Sequence, residues 1–239
     1  MLAVIDRRTP CAAMDRLNEI CEVVELPPFS ALDPRVASHP DMLMFAFDGK
    51  LFTSKAYYGE AGRVIDKIIS LTSLELVLTD DETGNKYPRD IYFNTFAINN
   101  AIIGNVEYIS KEIKKHASGQ SFGFANVKQG YAKCSVCLLD EESAITADKG
   151  IAQALSKLGV DVCFIQEGAI VLEGYSYGFI GGASAVIDKR VIFFGDIKKH
   201  PDSDRILDFI NNKGFDVEYP EDVDLTDLGS AIVIEKESK

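Results

Sequence analysis

Cys134, with Lys133 before it, and the tripeptide His39-Pro40-Asp41 are the residues whose types could carry a reaction in this chain. A thiol attacks as its thiolate, so it needs an accessible position near a cation or a base. His39 would supply the acid–base group, and Asp41 a carboxylate that holds a cationic ligand or orients the imidazole. Lys133 would lower the Cys134 pKa if the two side chains met, although neighbours on a strand point apart. The other thiols are placed less well. Cys11 and Cys21 fall on or beside the apolar stripe of a helix, Cys163 lies in an apolar strand, and Cys137 faces away from Cys134. The plainer reading of any internal cysteine is a small apolar filler. Cys134 and Cys137 form a C-x-x-C inside what reads as a strand, which suits neither a zinc clamp nor a redox helix start. No metal and no other cofactor is expected.

Two further stretches stand out by composition. Tyr175 to Gly182 reads YSYGFIGG, with glycines that allow close backbone approach and aromatics that make flat apolar walls. The alternative is that Gly181, Gly182 and their neighbour Gly178 only relieve crowding. Gln129-Gly130-Tyr131 is similar in kind. Arg89-Asp90 is either a ligand contact or a local surface pair of little weight. His39 has its own plain reading, as an extended turn residue before proline.

The elements that must position these residues are legible from periodicity. After a short strand at Met1 to Ile5, helices are expected from Pro10, near Gly59, over Val106 to Ala117, from an Asp148 cap to Gly159, and from Asp202 or Ser203 to Gly214. Each is followed by a short strand and then by a hairpin. Asp48-Gly49, Asn99-Asn100 and Asp188-Lys189-Arg190 mark hairpin turns. Helix starts fall roughly 43 to 53 residues apart, a period that calls for a repeat architecture. The last unit, Ser230 to Ile234, lacks a second strand, and Met1 to Ile5 is the strand left over at the other end. Pairing the two closes a ring of five small sheets with no open edge. The expectation is therefore one α/β domain, residues 1–239, with five-fold pseudosymmetry.

Composition narrows the function. The chain has 239 residues, 46% hydrophobic and 26% charged, with a net charge of -12. That balance disfavours nucleic acid and anionic membranes as partners, and leaves room for a cationic small molecule. No apolar run reaches the length of a membrane span, and the start lacks a signal-peptide layout. Five cysteines make no disulfide framework, so a reducing cytoplasm is expected. Oligomeric state is left open.

Five helix–strand–strand–strand units closed by the N-terminal strand resemble the pentein superfamily of guanidino-group-modifying enzymes, the five-bladed α/β-propellers. Within that superfamily the chain is most similar to an uncharacterised bacterial branch. The superfamily spans arginine deiminase, dimethylarginine hydrolase, amidinotransferases, agmatine deiminase and a non-catalytic ribosome anti-association factor. The resemblance implies a central cavity for a small guanidino or amino-acid-like ligand. It also implies a nucleophilic cysteine near the end of the fifth unit, and Asp227 to Lys239 contains none. Glu167-Gly168-Ala169 only partly matches the family's glutamate–glycine–glycine–aspartate segment.

In such a ring the lead-ins to the inner strands share one mouth: His39-Pro40-Asp41, Arg89-Asp90, Lys133-Cys134, Gly181 to Ser184, and Leu228-Gly229-Ser230. The expected catalytic set, if chemistry occurs, is Cys134, His39 and Asp41. The expected ligand-binding set is Lys133, Tyr131, Arg89, Tyr175, Gly181, Gly182 and Ser184. Ligand binding without the usual nucleophile is the first reading. A cysteine-dependent hydrolase or amidinotransferase acting on a guanidino compound is the second.

Overall fold

The computed structural model describes residues 1–236. β1 (Leu2–Asp6) leads through α1 (Cys11–Ile20) to β2 (Glu22–Leu26), which pairs parallel with β1. A one-turn helix α2 (Pro40–Leu43) precedes the hairpin of β3 (Met44–Phe47) and β4 (Lys50–Ser54), and α3 (Lys55–Leu71) returns to β5 (Glu75–Thr79). The order repeats with β6 (Phe96–Ile98), β7 (Ala101–Gly104), α4 (Lys111–Gly119) and β8 (Gly123–Asn126). It repeats again with β9 (Val136–Leu138), β10 (Ser143–Thr146), α5 (Lys149–Lys157) and β11 (Asp161–Phe164). The last full unit is β12 (Ser184–Ile187), β13 (Arg190–Phe193), α6 (Ser203–Asn212) and β14 (Asp216–Glu218). β15 (Ile232–Ile234) then pairs antiparallel with β1, in the register Leu2 to Ile234 and Val4 to Ile232. Five three-stranded sheets result, each with an antiparallel pair and a parallel third strand; the pair is a hairpin in four and β15 with β1 in the other.

Local chemistry sets the hairpins. Asp48-Gly49, Asn99-Asn100 and Asp188-Lys189 all have positive φ at both turn residues, the twist that lets two strands stay paired across a two-residue loop. The expected Asp148 cap is present, its carboxylate accepting from the Ile151 N–H at 2.8 Å. Some boundaries differ from the sequence reading. α3 starts at Lys55 rather than near Gly59, because Ser54, the last residue of β4, caps it through the Tyr57 N–H. The Ile91-to-Ile98 and Cys134-to-Leu139 strands shrink to β6 and β9, and Cys134 sits in the turn before β9.

The ring is held by five apolar cores, one in each groove between neighbouring sheets. Ala13 and Leu17 of α1 meet Ala185 and Phe194 on one side and Ala3 and Ile5 on the other. Tyr57, Ile65 and Ile68 of α3 fill the next groove, between Leu2 and Met44. Ile113 of α4 packs with Phe45 and Ile102, Ile151 of α5 with Ile103 and Ala144, and Ile206 of α6 with Ile145 and Val191. Burying each of these large side chains is worth about 1.5–3 kcal/mol. The set closes on itself, so the architecture is a five-fold pseudosymmetric α/β-propeller with helices outside and hairpins inside. Among the described residues no helix is long and apolar enough to cross a membrane.

Candidate functional site

Two other lead-ins meet Asp41. Its Oδ2 accepts the Cys134 thiol proton at 2.9 Å and the Ser230 hydroxyl proton at 2.9 Å, while Oδ1 has no partner. The turn that presents Cys134 is gripped by Asn94. Its Oδ1 accepts from the Lys133 and Cys134 N–H groups at 2.8 and 3.3 Å, and its Nδ2 donates to Cys134 Sγ at 3.1 Å. His39 leads into α2 with Pro40 at the first helical position, a preorganised start. Gly229, at φ +72, lies so close that a Cβ there would overlap His39, so this lead-in must be glycine.

Asp227 is the second buried acid. It accepts from the Phe179 N–H at 2.9 Å and the Gly229 N–H at 3.0 Å. The glycines of YSYGFIGG face it directly: a Cβ on Gly178 or Gly182 would run into the Asp227 carboxylate side chain, and one on Gly181 into the Cys134 and Val136 carbonyls. The segment therefore owes Gly178, Gly181 and Gly182 to close approach of backbone to protein groups.

Burial dominates the electrostatics. It raises the Asp41 pKa to about 7, helped by the Asp227 charge and opposed by the Cys134 and Ser230 hydrogen bonds and by Lys133. It raises Asp227 to about 6 against its two backbone N–H donors. It pushes the Cys134 thiol well above its ordinary value, with the Asp41 and Asp227 charges adding to the effect. It lowers His39 to about 3, so the ring is neutral, with Nε2 unpartnered and 3.9 Å from Asp6 Oδ2. Asp90 is raised by burial too, although it accepts the Tyr131 hydroxyl proton at 2.8 Å; its Oδ1 has no partner.

These groups floor a cleft of about 280 Å³. His39, Asp90, Cys134 and Asp227 form the base, and Tyr131, Tyr175, Tyr177 and Phe179 the walls. Behind Asp41 a second chamber of about 190 Å³ runs between the inner strands, lined by Lys133, Phe45 and Phe93. Asp41 thus separates two cavities. A thiol, a neutral imidazole and two buried acids under aromatic walls can hold a cationic nitrogen group, and they set a thiol beside a carboxylate that can take its proton. Among the described residues no group of three or more His, Cys, Asp or Glu side chains is placed to hold a metal ion.

His39, Cys134, Tyr131 and Tyr175 line the cleft, and Asp41 lies one hydrogen bond below it. Lys133 turns into the chamber behind, and Gly181 and Gly182 pack on the Cys134 turn and Asp227. Ser184 is buried at the start of β12 and donates to the Gly181 carbonyl at 3.2 Å. Arg89 lies outside, exposed, with its guanidinium on Glu82. Asn94 and Asp227 are not among the site residues expected from sequence, and Asp90 figures there only within the Arg89-Asp90 lead-in. A usable signal existed for Asn94: it lies two residues before its inner strand, as Cys134 and Ser230 do before theirs.

Comparison with solved structures puts this geometry on a known scaffold. An amidinotransferase of the saxitoxin pathway of Microseira wollei matches over 98% of this chain and 83% of its own, at 11% identity and a TM-score of 0.59. Agmatine deiminase from C. jejuni with substrate bound matches over 100% and 93%, at 9% identity and TM-score 0.57. DDAH from Pseudomonas aeruginosa, complexed with citrulline, matches over 92% and 91%, at 12% identity and TM-score 0.56. The fold is that of the pentein superfamily. The chain belongs to a family of unknown function (DUF6873), whose model matches residues 4–232. No curated protein matches the sequence.

Proposed function

We propose that the chain binds a small cationic ligand, guanidino or amino-acid-like, in the mouth cleft without using the superfamily's usual nucleophile. The observation that carries this reading is Asp90, 8% exposed with an unpartnered buried Oδ1, in the lining of an aromatic-walled cleft that also holds Asp227. A buried carboxylate oxygen without a donor costs free energy that an incoming N–H group recovers. The fifth unit has Ser230 where its chain enters the ring, and no cysteine from Asp227 onward. Thermal-shift screening against arginine, agmatine, methylarginines and neutral amino acids tests the reading. Cationic members should raise the melting temperature in a saturable way, and a response confined to neutral compounds would refute it.

A second reading is a cysteine-dependent hydrolase or amidinotransferase on a guanidino compound. Cys134 lining the cleft, with its thiol donating a hydrogen bond to Asp41, is the observation that favours it. Burial holds the thiol protonated, so a bound cation would have to lower its pKa before attack. Iodoacetamide labelling with and without agmatine separates the two. Faster labelling of Cys134 with ligand present supports catalysis, and simple protection supports binding. The reading further places residues 1–239 as one domain in a reducing bacterial cytoplasm, supported by five unpaired thiols.

A further inference from the structure

Five aromatic rings follow one another across the mouth: Tyr108, Tyr87, Tyr131, Phe179 and Tyr177, with successive centroids 5.8, 6.4, 6.3 and 5.9 Å apart. Tyr131, Phe179 and Tyr177 belong to the cleft wall, and Tyr87 and Tyr108 continue beyond it. Tyr87 is half exposed. Its place is prepared: a Cβ on Gly130 would overlap the Tyr87 ring. At the other end Tyr177 and Phe179 are shared with a crevice of about 550 Å³ beside the cleft.

Carboxylates accompany the rings. The Tyr131 hydroxyl donates to Asp90 at 2.8 Å and the Tyr177 hydroxyl to Glu167 at 3.2 Å, and Glu107 stands beside the Tyr108 hydroxyl. Flat faces accept methylene groups and cations, and each acid marks a place for a positive charge. Asp90 alone is buried; it lines the cleft, and its Oδ1 has no partner. A single small cation would use that acid and leave Tyr87, Tyr108 and Glu107 without a role.

We propose that the ligand is a linear aliphatic polyamine, seated by one ammonium group at Asp90 and extended along the aromatic ladder. This deepens the cleft reading above and rests on it. The ring spacing is of the order of the propyl and butyl spacers of such molecules, so methylenes lie on the rings while ammonium groups reach the acids beside Tyr108, Tyr131 and Tyr177. The net charge of -12 favours approach of a polycation from a distance. No covalent step is involved.

The test is calorimetric titration at 0.15 M salt with 1,4-diaminobutane, spermidine, spermine and a lysine-rich peptide of equal charge to spermine. Affinity should rise with each added aminoalkyl unit. Tyr87→Ala and Tyr108→Ala keep the net charge, and each should weaken spermine by about two- to fivefold, the scale of an exposed cation–aromatic contact, with Tyr108→Ala leaving 1,4-diaminobutane unchanged. Gly130→Ala, which displaces the Tyr87 ring, should act in the same direction. Equal affinity along the series overturns the ladder but leaves the cleft reading standing. Spermine binding that ignores the tyrosine substitutions is diffuse charge attraction and also overturns it, as does tighter binding of the peptide. If no cation of any length binds, both this proposal and the cleft reading fall.

Discussion

Asp41 carries two donors on one oxygen and none on the other, and its charge state governs the floor of the site. An acid that holds its proton to about pH 7 when folded, and only to about pH 4 when unfolded, binds more protons in the folded chain between those values. It therefore removes stability as pH rises through that window. Asp227, raised to about 6, acts in the same sense. His39 acts oppositely: held neutral down to about 3, it adds stability as pH rises from there to its unfolded value near 6.5. The terms overlap in the wild type, so a difference measurement isolates one of them. Asp41→Asn should gain stability relative to the wild type from pH 4 to pH 7 and hold the gain above it, read by urea unfolding at several pH values. A pH-independent difference would mean that Asp41 is ionised throughout. At the same scale, burial keeps Cys134 protonated, so unliganded protein should alkylate more slowly at Cys134 than at exposed Cys11, measured by mass spectrometry of iodoacetamide-treated samples.

Among the elements, the segment over Asp227 is the most demanding. Gly182→Ala would drive a methyl into the Asp227 carboxylate and disturb both the Phe179 and Gly229 hydrogen bonds. A loss of about 2 kcal/mol or more is expected, the range for a disrupted buried network, with Gly159→Ala in open space as a comparison that reports only backbone strain at φ +81. Asp148→Ala should cost about 1 kcal/mol through the lost α5 cap. The hairpins and the α5 cap were legible in the sequence because Asp-Gly, Asn-Asn and Asp-Lys turns and Asp-capped helices are local choices. The shortening of β6 and β9 was not. The apolar letters of Ile91 and Phe93 serve the axial packing as well as a strand would, and periodicity cannot separate the two.

The whole molecule depends on closure. β15 is three residues long and β1 is wholly buried, so the first sheet exists only when both ends of the chain meet. Ala3→Asp would put an unpaired charge at a site with 0% exposure, between β15 and β2, and should abolish cooperative unfolding in a thermal scan. Closure was readable because the two termini carried complementary parts of one unit. The composition of the mouth was only partly so. Lead-in positions followed from the repeat, which gathered His39, Cys134 and Asp41. Which side chains turn inward depends on tertiary partners: Arg89 leaves for Glu82 while its neighbour Asp90 goes in to Tyr131. The account stands or falls on that inward acid. Titration of agmatine into wild-type protein and into Asp90→Asn at pH 7.5 tests it most directly. The account predicts saturable binding by the wild type and at least about tenfold weaker binding by the variant, the scale of a lost charge-assisted hydrogen bond. Equal binding by both, or none by the wild type, would contradict it.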